Sequence, residues 1–340
     1  MTLLGAIRAG RANPIGELDD ATAALLRADG LAPLAVANGA RHPSLSGHER
    51  DCFVKTQGVV RASRWCVDTL RDAGVPCVTL KGPALAARFY GDPVLRPSRD
   101  VDLLVAAADV DRAAEALSVA GLHGEVRFPR WYERRWHEHA AFVGVPLVPS
   151  ITVELHWAFV RPGLSRAAAA DVVATACEVD VGGLTLPAPD DAWQLLVAAG
   201  HAAQHFYDPR SLLDVAMVVR RLDDRDAGRV VRLAREARLG AAVFFAVALS
   251  AERLAWVAPR WLCELRPSGV RAALVRRYVD TLGPWPAIVW TTVQLSKVAT
   301  PLSVADGALW LKGLAYALSD RPNLCTALDR RLGGAARHRR

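Results

Sequence analysis

Apolar and polar positions follow two periods along this chain, and the balance between them changes once. Up to about residue 189, short apolar runs of strand length alternate with amphipathic stretches of helical length; from Asp190 onward the pattern is helical almost throughout. The strand candidates are "CVTL", "VDLLV", "HAAFVGV" and "ITVELHW", and "CEVDVGGLTLPAP" reads as a hairpin turning at Gly182-Gly183. Among the helices, "DDATAALLRA" precedes a turn-rich segment, and a long helix is expected from Ser46 to about Gly74. Ser46 and Glu49 would form its capping box, and Val54, Val59, Ala62, Trp65, Cys66 and Leu70 its apolar stripe. "PALAARFY" is a helix opened by Pro83, "ADVDRAAEALSVAG" is one ended by Gly121, and "SRAAAADVVATA" is a third. Breaks in the later helical part fall near Asp208-Pro209, Gly240, Pro259 and Gly283-Pro284. The expected fold class is α+β, a small mixed sheet with helices followed by an all-helical part. The divisions are a helical segment 1–45, an α/β domain 46–189, a helical domain 190–329 and a basic tail 330–340.

Composition changes this picture little. With 340 residues and 52% hydrophobic content, the chain can bury a substantial core, and 23% charged residues is ordinary for a globular protein. The net charge of +7 is almost entirely arginine: Lys55, Lys81, Lys297 and Lys312 are the four lysines, and part of the excess lies in the tail "RRLGGAARHRR". This permits a nucleotide or polyanion without requiring one. Six scattered cysteines without a C-x-x-C pair suit a reducing compartment. The start is a poor signal peptide, because Arg8 breaks its apolar run. The longest apolar stretch, "LGAAVFFAVAL", is far shorter than the roughly 20 residues that cross a bilayer, so it reads as a buried helix. A soluble cytoplasmic protein with no membrane partner is expected.

The candidate chemistry begins at "LRPSRDVDLLV". Asp100 and Asp102 sit two apart at the mouth of an apolar strand, so their side chains project from one face. Glu154 lies inside "ITVELHW", where strands seldom carry carboxylates. If the two strands are neighbours, three carboxylates converge on a site suited to a hard divalent cation such as Mg²⁺. An isolated D-x-D more often caps a strand end in water, but here its neighbours point to phosphate. "LKG" lies just upstream, where Lys81, Gly82 and a helix N-terminus can meet phosphate oxygens, and Arg96 and Arg99 flank Ser98 directly before the pair.

Taken together, "VTLKGPALAARFYGDPVLRPSRDVDLLV" and the later "VELHW" resemble bacterial nucleotidyltransferase-like proteins of the polymerase-β-type superfamily, over about residues 50–220. The resemblance implies a small mixed sheet carrying the catalytic acids and a helical domain closing over the nucleotide. It assigns Asp100 and Asp102 as the metal-binding pair and Glu154 as the third carboxylate. One departure stands out: the wider superfamily has Gly-Ser or Gly-Gly where this chain has Gly82-Pro83, and proline has no N–H to offer a phosphate. Lys81 is the expected compensation.

Weaker signals surround this core. His201 and His205 in "HAAQH" are one helical turn apart but lack the glutamate base of a zinc protease, and a zinc site is not expected. His201, Arg210 and Asp214 recur in similar form in the helical domain of the family it resembles. They could face the cleft, or an Arg–Asp pair could fix one helix against another. "HEH" at 137–139 reads as a solvated loop. His156 shares a strand face with Glu154 and either orients it, touches substrate or is a core histidine. Trp131, Tyr132 and Trp136 interleave with Arg130, Arg134 and Arg135, more as a cleft cover than as a nucleic-acid surface.

The expected activity is transfer of a nucleoside monophosphate from a nucleoside triphosphate to a hydroxyl or phosphate acceptor, a small molecule or a peptide or protein, with release of pyrophosphate. Two Mg²⁺ ions, or Mn²⁺ in their place, would sit on Asp100, Asp102 and Glu154, with Glu154 taking the acceptor's proton. Lys81, Gly82, Arg96, Ser98 and Arg99 would line the triphosphate. The alternative is a non-catalytic nucleotide- or protein-binding module of a paired regulatory system.

Overall fold

The computed structural model describes residues 15–124, 137–146, 148–161, 164–205 and 207–281. Gly16–Glu17 (β1) is followed by the helices Asp20–Ala28 (α1) and Ala32–Ala37 (α2), and then by Ala40–Arg41 (β2), which pairs in parallel with β1. The long helix Pro43–Asp72 (α3) comes next. It starts three residues before the expected cap. Pro43 occupies the first turn, where its fixed φ is helical and its missing N–H costs nothing, and His42 Nδ1 accepts from Ser44 N at 3.2 Å. Ser46 and Glu49 therefore lie inside the helix and form no capping box.

The sheet strands follow: Cys77–Thr79 (β3), the helix Gly82–Tyr90 (α4), Asp100–Val105 (β4), the helix Val110–Val119 (α5), His123–Gly124 (β5), His139–Val143 (β6) and Thr152–His156 (β7). Their order is β3-β4-β7-β6-β5, with only the β4–β7 pair parallel. A short helix, Ala169–Ala174 (α6), covers only the second half of "SRAAAADVVATA". The hairpin Cys177–Val181 (β8) and Leu184–Ala188 (β9) forms a separate two-stranded sheet. Its turn is at Gly182-Gly183, and both residues have positive φ (64° and 85°), as a two-residue hairpin turn of this hand demands. Helices follow to the end of the described residues: Asp191–Gln204 (α7), Pro209–Val219 (α8), Asp224–Glu236 (α9), Gly240–Arg253 (α10) and Gly269–Thr281 (α11). The expected break at Gly283-Pro284, the basic tail and the Trp131–Trp136 segment lie outside the described residues.

Alternation along the central strands decides what each face of the sheet meets. Val101, Leu103 and Val105 of β4 and Val153 and Leu155 of β7 point one way, into a core shared with Val59, Ala62, Cys66 and Leu70 of α3. Val54, assigned to that stripe from the sequence, is 65% exposed and stands outside it. On the opposite face Leu104 joins Val78 and Leu80 in a core with Leu195, Leu196 and Ala199 of α7 and the helices beyond it. That core carries "LGAAVFFAVAL" as the buried helix α10, and no helix among the described residues is long and apolar enough to cross a membrane. Because Asp100 and Asp102 have the parity of Leu104, the sheet presents its acids to the C-terminal helices.

One backbone feature shapes the entrance to α4. Gly82 has φ +69°, a conformation open to glycine and costly for residues with a Cβ. A methyl at Gly82 would meet Ser98 Oγ at 3.5 Å, an ordinary contact, so the cost of Gly82→Ala is conformational. The substitution should lower unfolding free energy by about 1–2 kcal/mol in urea titrations. An unchanged midpoint would show that this turn relaxes freely.

Candidate active site on the sheet face

The parallel register of β4 and β7 places Asp102 directly beside Glu154, with Asp100 one pleat away on the same face. One oxygen each of Asp100, Asp102 and Glu154 can be chosen so that all three lie within 4.8 Å of one another. Three carboxylates at that spacing repel one another unless cations intervene. The protein supplies two. Lys81 Nζ is 3.1 Å from Asp102 Oδ1, and His156 Nε2 lies 3.2 Å from the same oxygen and 3.3 Å from Glu154 Oε2. Ser98 Oγ donates to Asp100 Oδ1 at 3.1 Å.

The protonation pattern follows from this arrangement. Burial alone would raise the pKa of Asp102, which is 5% exposed, but the Lys81 ammonium and the His156 imidazolium overcome that effect and hold it well below the usual carboxylate range. Burial likewise opposes the charged form of His156, yet its hydrogen bonds to Asp102 and Glu154 push its pKa up to about 9. Lys81 is raised in the same way: burial disfavours its charge, and Asp102 and Asp100 more than restore it. Asp100 goes the other way. Burial raises its pKa, the Asp102 charge raises it further, and Lys81 only partly offsets them. Glu154 is held low by its His156 hydrogen bond, against the upward effect of burial.

A cavity of about 70 Å³ lies against this face. Its sheet side carries Lys81, His139, Glu154 and His156, and α7 closes it with Val197 and His201, joined by His205 at the helix end. His201 thus faces the cleft. Burial and the nearby Lys81 charge keep its pKa well below the ordinary histidine value, so it is neutral. The His201 and His205 rings are 4.1 Å apart, and among the described residues no metal-ligating cluster includes them.

Arg96 was expected near the triphosphate, and Asp214 either at the cleft or in an Arg–Asp pair; the structure pairs the two with each other. Arg96 Nε and Nη2 each donate to Asp214 at 2.6 Å, both residues being buried, and the half-buried Tyr90 Oη donates to Asp214 Oδ1 at 2.7 Å. This fork ties the loop before β4 to helix α8. Arg210, on the same helix, donates to Pro97 O in that loop and does not line the cavity. Arg99 is exposed beside Asp100.

His139 was read as part of a solvated loop. It lies instead on β6, directly opposite His156, with the ring centroids 4.8 Å apart and Nε2 3.7 Å from Glu154 Oε1. Alternation within "HAAFV" carried the signal, since a strand beginning at His139 that pairs with β7 must set this ring on the acidic face. The pairing itself was not legible. Among the described residues two overlapping groups could hold a metal ion: Asp100, Asp102 and Glu154, and His139, Glu154 and His156.

Residues 19–255 match the family described as an uncharacterised nucleotidyltransferase. The match spans well over half of the chain, and the protein belongs to that family. No curated protein matches the sequence.

Two stability predictions follow from the charges. Arg96→Ala leaves Asp214 buried and uncompensated, which should cost about 3–5 kcal/mol of unfolding free energy; the apolar pair Arg96→Met with Asp214→Leu should recover much of that loss. In metal-free protein the acids should respond in opposite directions. Asp100→Asn removes a repelled charge and should raise the melting temperature, whereas Asp102→Asn strips Lys81 and His156 of their shared partner and should lower it. Calorimetry checks both, and equal effects would mean that the three acids do not share one field.

Proposed function

We propose that the protein transfers a nucleoside monophosphate from a nucleoside triphosphate to an acceptor hydroxyl or phosphate, releasing pyrophosphate. The observation that carries this reading is the convergence of Asp100, Asp102 and Glu154 on neighbouring strands beside the Lys81-Gly82 junction, in a chain of a nucleotidyltransferase family. An all-oxygen donor set suits Mg²⁺, with Mn²⁺ as a substitute, and the charge of three carboxylates suits two ions. Bound there, these ions would activate the acceptor oxygen and offset the charge on the leaving pyrophosphate.

The chain's own residues supply positioning and charge. Lys81 presents an ammonium at the cavity wall, Gly82 lets the backbone come close, and exposed Arg99 offers a fork to phosphate oxygens at the open side of Asp100. Ser98 orients Asp100, His156 orients Asp102 and Glu154, and one carboxylate receives the acceptor's proton. His201 contacts substrate from the helical side. Arg96, Arg210 and Asp214 act at a distance, by fixing the loop that carries Ser98 and Arg99. In this reading residues 46–189 form the nucleotidyltransferase domain and residues 190–329 the helical domain that covers it. The acceptor is a small molecule or a peptide.

One observation favours a second reading, a non-catalytic nucleotide- or protein-binding module: Lys81 and His156 already neutralise Asp102 without a metal. Turnover separates the two. Purified protein incubated with each of the four NTPs, Mg²⁺ and a metabolite extract should release pyrophosphate and yield products heavier by one nucleotidyl group, both lost in Asp100→Asn. Binding of NTP and Mg²⁺ without any turnover would favour the module. Lys81→Ala should weaken NTP binding by about 1.5–3 kcal/mol, the worth of a hydrogen bond to a charged group, in calorimetric titration. Unchanged affinity would remove Lys81 from the phosphate site.

A further inference from the structure

The sheet face offers two chemically different donor sets that share Glu154. Asp100, Asp102 and Glu154 are all oxygen, whereas His139, Glu154 and His156 provide two imidazoles and one carboxylate, again with ligand atoms within 4.8 Å of one another. We propose that the second set is a separate site for a first-row transition-metal cation, bridged by Glu154 to the oxygen site; it rests on the proposed function only for the existence of that neighbour.

The geometry of the strands carries this inference. His139 and His156 are cross-strand partners on antiparallel strands, so their rings stand side by side, and Glu154 lies two residues from His156 on the same face. The Nε2 atom of each ring is turned to Glu154, at 3.7 Å from Oε1 for His139 and 3.3 Å from Oε2 for His156. Both rings thus present the same atom to the two oxygens of one carboxylate, and drawing the three groups in around one ion makes a two-histidine, one-carboxylate set. His156 would then give Nε2 to the cation in place of the two carboxylates it now bridges.

The donors also predict selectivity. Imidazole nitrogen suits the later first-row ions and is a poor ligand for Mg²⁺, which prefers oxygen and keeps its waters. The remaining coordination positions would face the cavity, where Glu138, His201 and His205 stand within reach of a bound molecule. Glu138 Oε2 is buried there with no hydrogen-bond partner among the described residues, an acceptor left for what occupies the cavity.

Cobalt(II) is the probe, because nitrogen ligation gives it visible absorption that Mg²⁺ lacks. Full-length protein stripped of metal and titrated with Co²⁺ alone should bind one ion with such a band, and excess Mg²⁺ should not displace it. His139→Gln should weaken that binding by at least about tenfold, while Asp100→Asn, which lies outside the histidine set, should keep the band. His139→Cys is the second variant, a gain of signal rather than a loss: it should add a sulfur-to-cobalt charge-transfer band. A Co²⁺ spectrum that survives His139→Gln, that disappears in Asp100→Asn, or that Mg²⁺ displaces would overturn the proposal, as would failure of Co²⁺ to bind. Mg²⁺-dependent NTP binding is measured on the same samples. Its absence alongside a normal Co²⁺ band would sink the nucleotidyltransferase reading and leave the histidine site standing.

Discussion

Negative charge concentrated on one face of a sheet is the constraint from which the rest of this structure follows. Asp100, Asp102 and Glu154 project together because two strands run parallel and in register. Each is removed from bulk water to a different extent, so each would prefer to be neutral without a partner. Lys81 and His156 answer this need from the strand-to-helix junction and from the strand itself. Lys81 and His156 thus hold Asp102 and Glu154 ionised from within, and any divalent ion entering the oxygen site would compete with an ammonium and an imidazolium already in place.

A second buried charge pair, of a different kind, holds the frame around that site. Arg96 uses its fork on both oxygens of Asp214, and Tyr90 completes the acceptor's coordination from α4. Ion pairs at this depth contribute little net stability against an apolar equivalent, but they are strongly directional. Here the direction matters, because the loop they anchor runs from Leu95 to Arg99 and ends at Asp100. A lysine in place of Arg96 would satisfy one oxygen and leave the loop free to pivot. Arg210 reinforces the arrangement by donating to Pro97 O. The helical layer therefore does more than cover the sheet: it positions the loop that leads into Asp100.

The hydrophobic cores express the same coupling. Of the two largest among the described residues, one lies beneath the sheet against α3, and the other joins the acidic face of the sheet to the C-terminal helices without a break near residue 189. Leu104 belongs to that second core while Asp102, two residues earlier on the same face, belongs to the site. A substitution that loosens α7 or α8 against the sheet reaches the acids through a single pleat.

Local pattern determined a good deal of this protein by itself. Period-two alternation in "VDLLV" and "ITVELHW" settled that Asp100 and Asp102 share a face and that Glu154 shares one with His156, because strand parity is a property of neighbouring residues. The paired glycines at 182 and 183 made a hairpin, and continuous helical periodicity after Asp190 made a helical layer, for equally local reasons. Pairing was beyond its reach. Whether β7 lies beside β4, and in which register, depends on packing across fifty residues, and only that contact turns two aspartates and a glutamate into one site. The same limit hid His139, whose tripeptide "HEH" looks solvated until β6 is docked on β7, and it misplaced Arg96. An arginine before an acidic pair resembles a phosphate ligand in sequence, and its true partner, Asp214, lies 118 residues away. Residue types and spacing announce which groups are present; only the tertiary structure decides which of them neutralise one another, because charges meet through space and not along the chain.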